Sequence, residues 1–385
     1  MTTTTPSTHP VLGGLSPRAF MREHWHKKWR HIPQAMPDFA ELLSTEELFA
    51  LATRSDVESR LVIRTGSGKN AKDWTFEHGP FKLARLKKLP EKNWTLLVQG
   101  LNLHVPTADA LLRQFNFLPH VRLDDVMVSL AAPGGGVGPH FDSYDVFLLQ
   151  GLGTRRWALS EQKDLSIIET APLKILKQMK PDATMDLQAG DMLYLPPHVA
   201  HDGVAAQSEG FCTTYSIGFR APTHQEIADT FLQWLGDTTE LDGRLADPDL
   251  TATERPGKVP ATYVREIERA INKLEINRGT IAQFAGCFAT EPKPSIVFDA
   301  PDEPISRAQF AKQATSRGVR LDARTLCAYD DLHLYVNGEP FLMLGDAAFW
   351  QMLADQRRAS IAPTLEKETV DALYTWYEDG WLHIG

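Results

Sequence analysis

The chain has 385 residues, 43% of them hydrophobic and 23% charged, and a formal net charge of −9 at neutral pH. That length exceeds what one ordinary core organises and points to two or three domains. The acidic balance argues against generic adhesion to nucleic acid, and no run of about 18 apolar residues is present to span a bilayer. Three cysteines, Cys212, Cys287 and Cys327, stand far apart without C-x-x-C spacing, so neither a disulfide framework nor a zinc knuckle is indicated.

Residues 1–10 are rich in Thr and Pro, with neither a basic start nor an apolar stretch. They read as a disordered tail and not an export signal, which makes the cytoplasm the expected location. Residues 17–51 look helical, with Phe20, Trp25 and Trp29 and then a capping sequence, Ser44-Thr45-Glu46-Glu47, ahead of Leu48 and Leu51. From Ser59 to Ala221 the pattern changes to short apolar runs separated by Gly, Pro and Asp: Arg60–Ile63, Trp94–Val98, Val126–Leu130, Val146–Leu149, Arg156–Leu159, Met192–Leu195 and Thr214–Phe219. Many short strands with tight turns imply a double-sheet jelly roll over 11–221.

After Pro222 the period becomes helical. Thr223 and Glu226 form a capping box, and Val264, Ile267, Ile271 and Leu274 draw an apolar stripe, either an internal core face or a face for another subunit, in a helical segment over 222–289. The Pro-rich stretch 290–305 reads as a linker. The remainder, 306–385, starts a helix at Ser306-x-x-Gln309 and signals a hairpin at Asn337-Gly338. Helices mixed with a two-stranded wing resemble a winged helix. No basic recognition helix accompanies them, so direct nucleic-acid binding is not expected.

Within the jelly roll, Gly134-x5-His140-x-Asp142 and Gly190-x5-Pro196-x4-His201 resemble the two cupin motifs, in which opposed strands bring three ligands together. A Gly-rich turn feeding a strand would put His140 and Asp142 on one face. His198 offers a rival third ligand, and His201 is preferred because His198 directly follows Pro196-Pro197. Two imidazoles and one carboxylate on one face of an octahedron leave room for a chelating co-substrate and dioxygen, which favours Fe(II) over zinc. An anionic co-substrate such as 2-oxoglutarate needs a buried cation for its far carboxylate. Arg155 and Arg156 are the candidates, on opposite faces of one strand, and alternation alone does not choose between them. Ser129 is a polar residue in an apolar strand that could assist.

These features, together with Ser59-Arg-Leu-Val, His78-Gly-Pro-Phe, Asn93-Trp-Thr-Leu-Leu-Val-Gln, Gly151-x-Gly-x-Arg-Arg-Trp and Ser216-Ile-Gly-Phe-Arg-Ala-Pro, resemble the JmjC-type cupin oxygenases. The resemblance is greatest to the bacterial ribosomal oxygenase family, which hydroxylates arginine on ribosomal protein L-sixteen. It implies an α+β chain: a double-stranded β-helix, a helical dimerisation segment and a winged-helix-like end. It also implies His140, Asp142 and His201 as iron ligands, Arg155 as partner of the 2-oxoglutarate carboxylate and Ser129 as a helper. Thr214 stands where relatives carry an asparagine beside the co-substrate. The implied reaction is oxidation at the arginine β-carbon, driven by Fe(II), 2-oxoglutarate and dioxygen, on a basic ribosomal protein and by a homodimer, and for such a target Tyr144 and Asp145 are candidate contacts for the guanidinium. Histidine hydroxylation, lysine demethylation and a non-catalytic cupin regulator that binds DNA are the alternatives.

Overall fold

Each of the seven apolar runs between residues 60 and 219 lies in a strand of the computed structural model, which describes residues 9–385 apart from 207–209, 249, 344 and 363. Most of the expected N-terminal tail therefore lies outside the described residues, and Pro10 already belongs to a 3-10 turn. The structure has two units, one running to Ala221 with Ser295–Val297, the other comprising Pro222–Pro294 and Phe298–Gly385.

In the first unit the strands are β1 (Arg30–Ile32), β2 (Ser59–Arg64), β3 (Trp74–His78), β4 (Trp94–Val98), β5 (Leu123–Ala131), β6 (Val146–Gln150), β7 (Arg155–Ser160), β8 (Ala183–Leu187), β9 (Met192–Leu195), β10 (Ala200–Ala205) and β11 (Cys212–Phe219). The larger sheet has the order β1-β9-β6-β11-β5-β4-β2-β3 and the smaller β10-β7-β8, as a double-stranded β-helix requires. Alternation splits the larger sheet into two faces. Phe147, Leu149, Met192, Tyr194, Tyr215 and Ile217 point to an outer core, whereas Val146, Leu148, Leu193 and Leu195 point inward and meet Trp157 and Leu159 of the smaller sheet.

The outer face is apolar because helices cover it: α1 (Pro17–Glu23), α2 (Thr45–Leu51), α3 (Leu83–Leu86) and α4 (Pro106–Leu112). Phe20 of α1 is fully buried, its ring 4.9 Å from that of Tyr194 and 5.5 Å from that of Phe147. Burial of such a side chain contributes about 1.5–3 kcal/mol. The helical reading of 17–51 needs correction in its middle. Pro33 and Pro37 interrupt the pattern, and β1 pairs instead with β9, where it closes an edge of the larger sheet.

The second unit begins with α5 (His224–Thr238), α6 (Ala261–Ile271) and α7 (Arg278–Thr290). The Thr223 capping box is formed, and Val264, Ile267 and Ile271 of α6 remain 40–58% exposed. Residues 291–305 carry neither helix nor strand. The chain then forms α8 (Arg307–Arg317), β12 (Val319–Leu321), β13 (Cys327–Tyr329), β14 (His333–Val336), β15 (Glu339–Leu342), α9 (Ala347–Gln356), β16 (Arg358–Ala359), α10 (Lys367–Glu378) and β17 (Leu382–Ile384). Asn337 and Gly338, both at positive φ, turn β14 into β15, the conformation that an Asn-Gly hairpin favours. Phe310, Leu321, Trp350, Leu353, Leu373 and Trp376 form the core of this winged helix.

Candidate metal centre

Gly138 leads the chain to His140 at a φ of +81°, and a Cβ there would lie 2.8 Å from the Trp74 ring, so only glycine suits the position. The expected strand through His140 and Asp142 reduces to a single bridge between His140 and His201. Beyond it the Asp142 carbonyl accepts a hydrogen bond from the His198 amide, which draws residues 141 and 142 out of any ladder. Across the bridge the His140 amide donates to the His201 carbonyl at 2.9 Å and the His201 amide to the His140 carbonyl at 2.8 Å. The main chain thus fixes the spacing of the two imidazoles, whose ring centroids are 4.2 Å apart.

Each imidazole is also held in one tautomer. His140 Nδ1 lies 2.8 Å from the Gly138 carbonyl and His201 Nδ1 2.9 Å from the Val199 carbonyl. A carbonyl only accepts, so each Nδ1 carries the proton and each Nε2 presents a lone pair. Burial and the neighbouring His140 hold the His201 imidazole below its ordinary value, at about 4, and keep it neutral. One donor atom each from His140, Asp142 and His201 lies within 4.8 Å of the others, and His201 Nε2 is 3.7 Å from Asp142 Oδ2. This donor set suits a divalent metal that keeps open positions. His198 lies outside the cluster, exposed at a positive φ in the turn.

Further along the barrel interior, β7 separates the two arginines. Arg156 points out and pairs with Asp186 at 2.7 and 2.9 Å, whereas Arg155 points in and is 4% exposed. Among the described residues no carboxylate pairs with Arg155. Its Nη atoms make long contacts, 3.4 Å to Ser129 Oγ and 3.5 Å to the Gly203 carbonyl, and its Nε has no partner among the described residues. Thr95 Oγ1, buried on the inward face of β4, is also without a partner. A buried cation without an anion costs several kcal/mol, so the arrangement fits a co-substrate that brings a carboxylate.

Ser129 Oγ donates to the Thr214 carbonyl at 3.3 Å and accepts from Arg155, so β5, β7 and β11 meet at one place. Thr214 gives its hydroxyl proton to Gln150 Oε1 at 3.1 Å, and only its lone pairs are left for a ligand. Gln150 escaped the reading of the sequence, although its alternation with Val146 and Leu148 puts it on the inner face. Burial around its hydroxyl, with the field of Asp142, Asp125 and Asp124, raises the Tyr144 hydroxyl above the ordinary range, although 41% of the residue as a whole is exposed. The reading of Asp145 as a substrate contact needs correction. Its carboxylate is fully buried, accepts from Tyr194 Oη at 2.5 Å and lies 3.2 Å from His26 Nε2, so it ties β9 to the segment after α1.

Residues 110–227 match the JmjC domain family and residues 272–383 the ROXA-like winged helix. The chain is 37% identical to the ribosomal protein uL16 3-hydroxylase of Escherichia coli over 83% of this chain and 84% of that protein. It is 29% identical to a probable ribosomal oxygenase of Haemophilus influenzae over 96% of both. A solved structure of the ribosomal oxygenase YcfD from Escherichia coli, in complex with cobalt and 2-oxoglutarate, superposes with a TM-score of 0.80 at 28% identity, covering 96% of this chain and 98% of that one. A likeness that spans most of both chains, on the same barrel and winged helix, places this chain in the JmjC ribosomal oxygenase family.

Proposed function

We propose that the chain is an Fe(II)- and 2-oxoglutarate-dependent dioxygenase that hydroxylates the β-carbon of an arginine in ribosomal protein uL16. The observation that carries this reading is the combination of two tautomer-locked imidazoles and a carboxylate with a buried guanidinium that forms no ion pair among the described residues. His140, Asp142 and His201 would hold the iron, and Arg155, assisted by Ser129 and by a lone pair of Thr214, would hold the far carboxylate of 2-oxoglutarate. When bound, iron and 2-oxoglutarate supply the activation of dioxygen and the oxidation of a C–H bond. The chain's residues fix distances: the His140–His201 bridge sets two donors, and Arg155 holds the co-substrate from the opposite end. Tyr144, partly exposed and in the field of Asp142, Asp125 and Asp124, would favour a guanidinium beside the metal. Incubation of the full chain with Fe(II), 2-oxoglutarate, air and a peptide of this ribosomal protein should add one oxygen to the arginine. An unmodified arginine together with a modified histidine or a demethylated lysine would overturn the assignment of substrate.

We also infer that residues 11–221 form the catalytic domain, 222–289 a dimerisation segment, 290–305 a linker and 306–385 an interaction domain, and that the protein acts in the cytoplasm, where ribosomal proteins are made. No helix among the described residues is long and apolar enough to cross a membrane. Val264, Ile267 and Ile271 offer one face of α6 to a second copy. Ile267→Glu should convert a dimer to a monomer in sedimentation equilibrium, and a wild-type monomer at micromolar concentration would end the dimer reading.

A further inference from the structure

The winged helix contains a cleft of about 340 Å³ lined by Glu339, Phe341, Thr375, Trp376, Asp379 and Trp381. Its aromatic wall is rigid. Trp376 is 2% exposed and meets Phe341 edge to face at 5.2 Å, and its carbonyl accepts from the Trp381 amide at 2.8 Å. The Trp381 ring is in turn 6.0 Å from that of Phe298. Glu339 on β15 and Asp379, just past the end of α10, supply carboxylates at the solvent side.

Neither carboxylate is paired with a cation among the described residues. Elsewhere in the same domain two arginines do meet carboxylates: Arg307 meets Asp371 at 2.9 Å and Arg324 meets Asp299 at 2.7 Å. The charge around the cleft is unbalanced over more than these two groups. Burial and the neighbouring Glu378 hold the Asp379 carboxyl above its ordinary value, and burial and Glu339 do the same to Glu291. Between residues 298 and 385 acidic residues outnumber basic ones fourteen to eight. The cleft therefore disfavours phosphate and favours a cation.

We propose that this cleft is a docking site for an arginine side chain of a basic protein chain, at a residue other than the one hydroxylated. The partly exposed rings of Trp381 and Phe341, backed by the buried Trp376, offer faces that attract a cation, and most of all a planar guanidinium that can stack while its N–H groups reach two carboxylates. Lysine, a compact and strongly hydrated charge, gains less from the same walls. The identity of the partner as the ribosomal protein substrate rests on the function proposed above. The chemistry of the cleft does not.

Two measurements on the full chain separate these layers. In the first, indole N–H resonances are followed while N-acetylarginine methylamide is added to the wild-type chain and to the Glu339→Gln/Asp379→Asn variant. Saturable shifts of Trp376 and Trp381 in the wild type alone are expected, whereas no shift, or equal shifts in both, overturns the site. Both substitutions are isosteric at exposed positions, and an unchanged indole spectrum before titration verifies the fold. In the second, turnover is compared on the intact ribosomal protein and on a short peptide around its target arginine. The double substitution should raise KM for the intact protein roughly tenfold, leave kcat unchanged and leave the peptide kinetics unchanged. An unchanged KM for the intact protein overturns the docking role. If neither substrate is turned over by the wild type, the hydroxylase reading fails, and the indole titration still decides whether the cleft takes arginine.

Discussion

The buried interior of the barrel and the half-buried flank of the winged helix treat charge in opposite ways. In the winged helix, Asp322 accepts from His383 Nε2 at 2.8 Å and from the Arg324 amide at 2.9 Å, and Arg357 gives its guanidinium to the Thr325 and Asp322 carbonyls. In the barrel, Arg155 is more deeply buried and has long contacts, an orphaned Nε and no carboxylate among the described residues. Charge that is satisfied from within holds a fold together. Charge left unsatisfied is a cost that only a ligand removes, and it marks where the ligand goes.

The largest expected effect tests the metal end of that contrast. His201→Ala removes one of three donors from a site whose spacing the backbone sets, so turnover should vanish and Co(II) affinity should fall on the order of a thousandfold. Co(II) binding as tight as in the wild type would remove His201 from the ligand set. Arg155→Met comes next and has a signature that an ordinary core residue lacks. Affinity for 2-oxoglutarate should fall about a hundredfold or more, while the ligand-free protein becomes as stable as the wild type or more so, by about 1–3 kcal/mol, because an unpaired buried cation is gone. Loss of stability with unchanged co-substrate affinity would show that Arg155 belongs to the fold.

The smallest effect probes the satisfied side. Burial alone would raise the Asp322 carboxyl, but hydrogen bonds from His383 and the Arg324 amide, with the Arg324 charge, hold it below its ordinary value. A carboxyl depressed by folding contributes stability that is fully present above its unfolded value and is lost as pH falls through the folded one. Asp322→Asn should therefore cost under about 1 kcal/mol at neutral pH, since the pair is partly solvated and screened. The difference should fade in acid, below the ordinary carboxylate range. A difference that persists there in thermal melts would assign the effect to shape and not to charge.

Much of this was legible in the chain. The seven apolar runs become strands because their period and their Gly and Pro borders are local properties, and the capping boxes at Ser44, Thr223 and Ser306 form for the same reason. The spacing of His140, Asp142 and His201 was legible because two short motifs each carry their own turn. β1 was not, since its strand character comes from pairing with β9, far away in sequence. Alternation put Arg155 and Arg156 on opposite faces but could not say which face was inside, a question that the Asp186 partner of Arg156 answers only in three dimensions. Asp145 was misread because nothing beside it announces Tyr194 or His26.

The paired main-chain hydrogen bonds between His140 and His201 separate two kinds of inheritance. Donor spacing rests on amides and carbonyls that every residue except proline possesses, so the walls of the barrel are free to drift and to accommodate a new target without loosening the grip on the metal. A scaffold built in this way can change what it oxidises long before it forgets how.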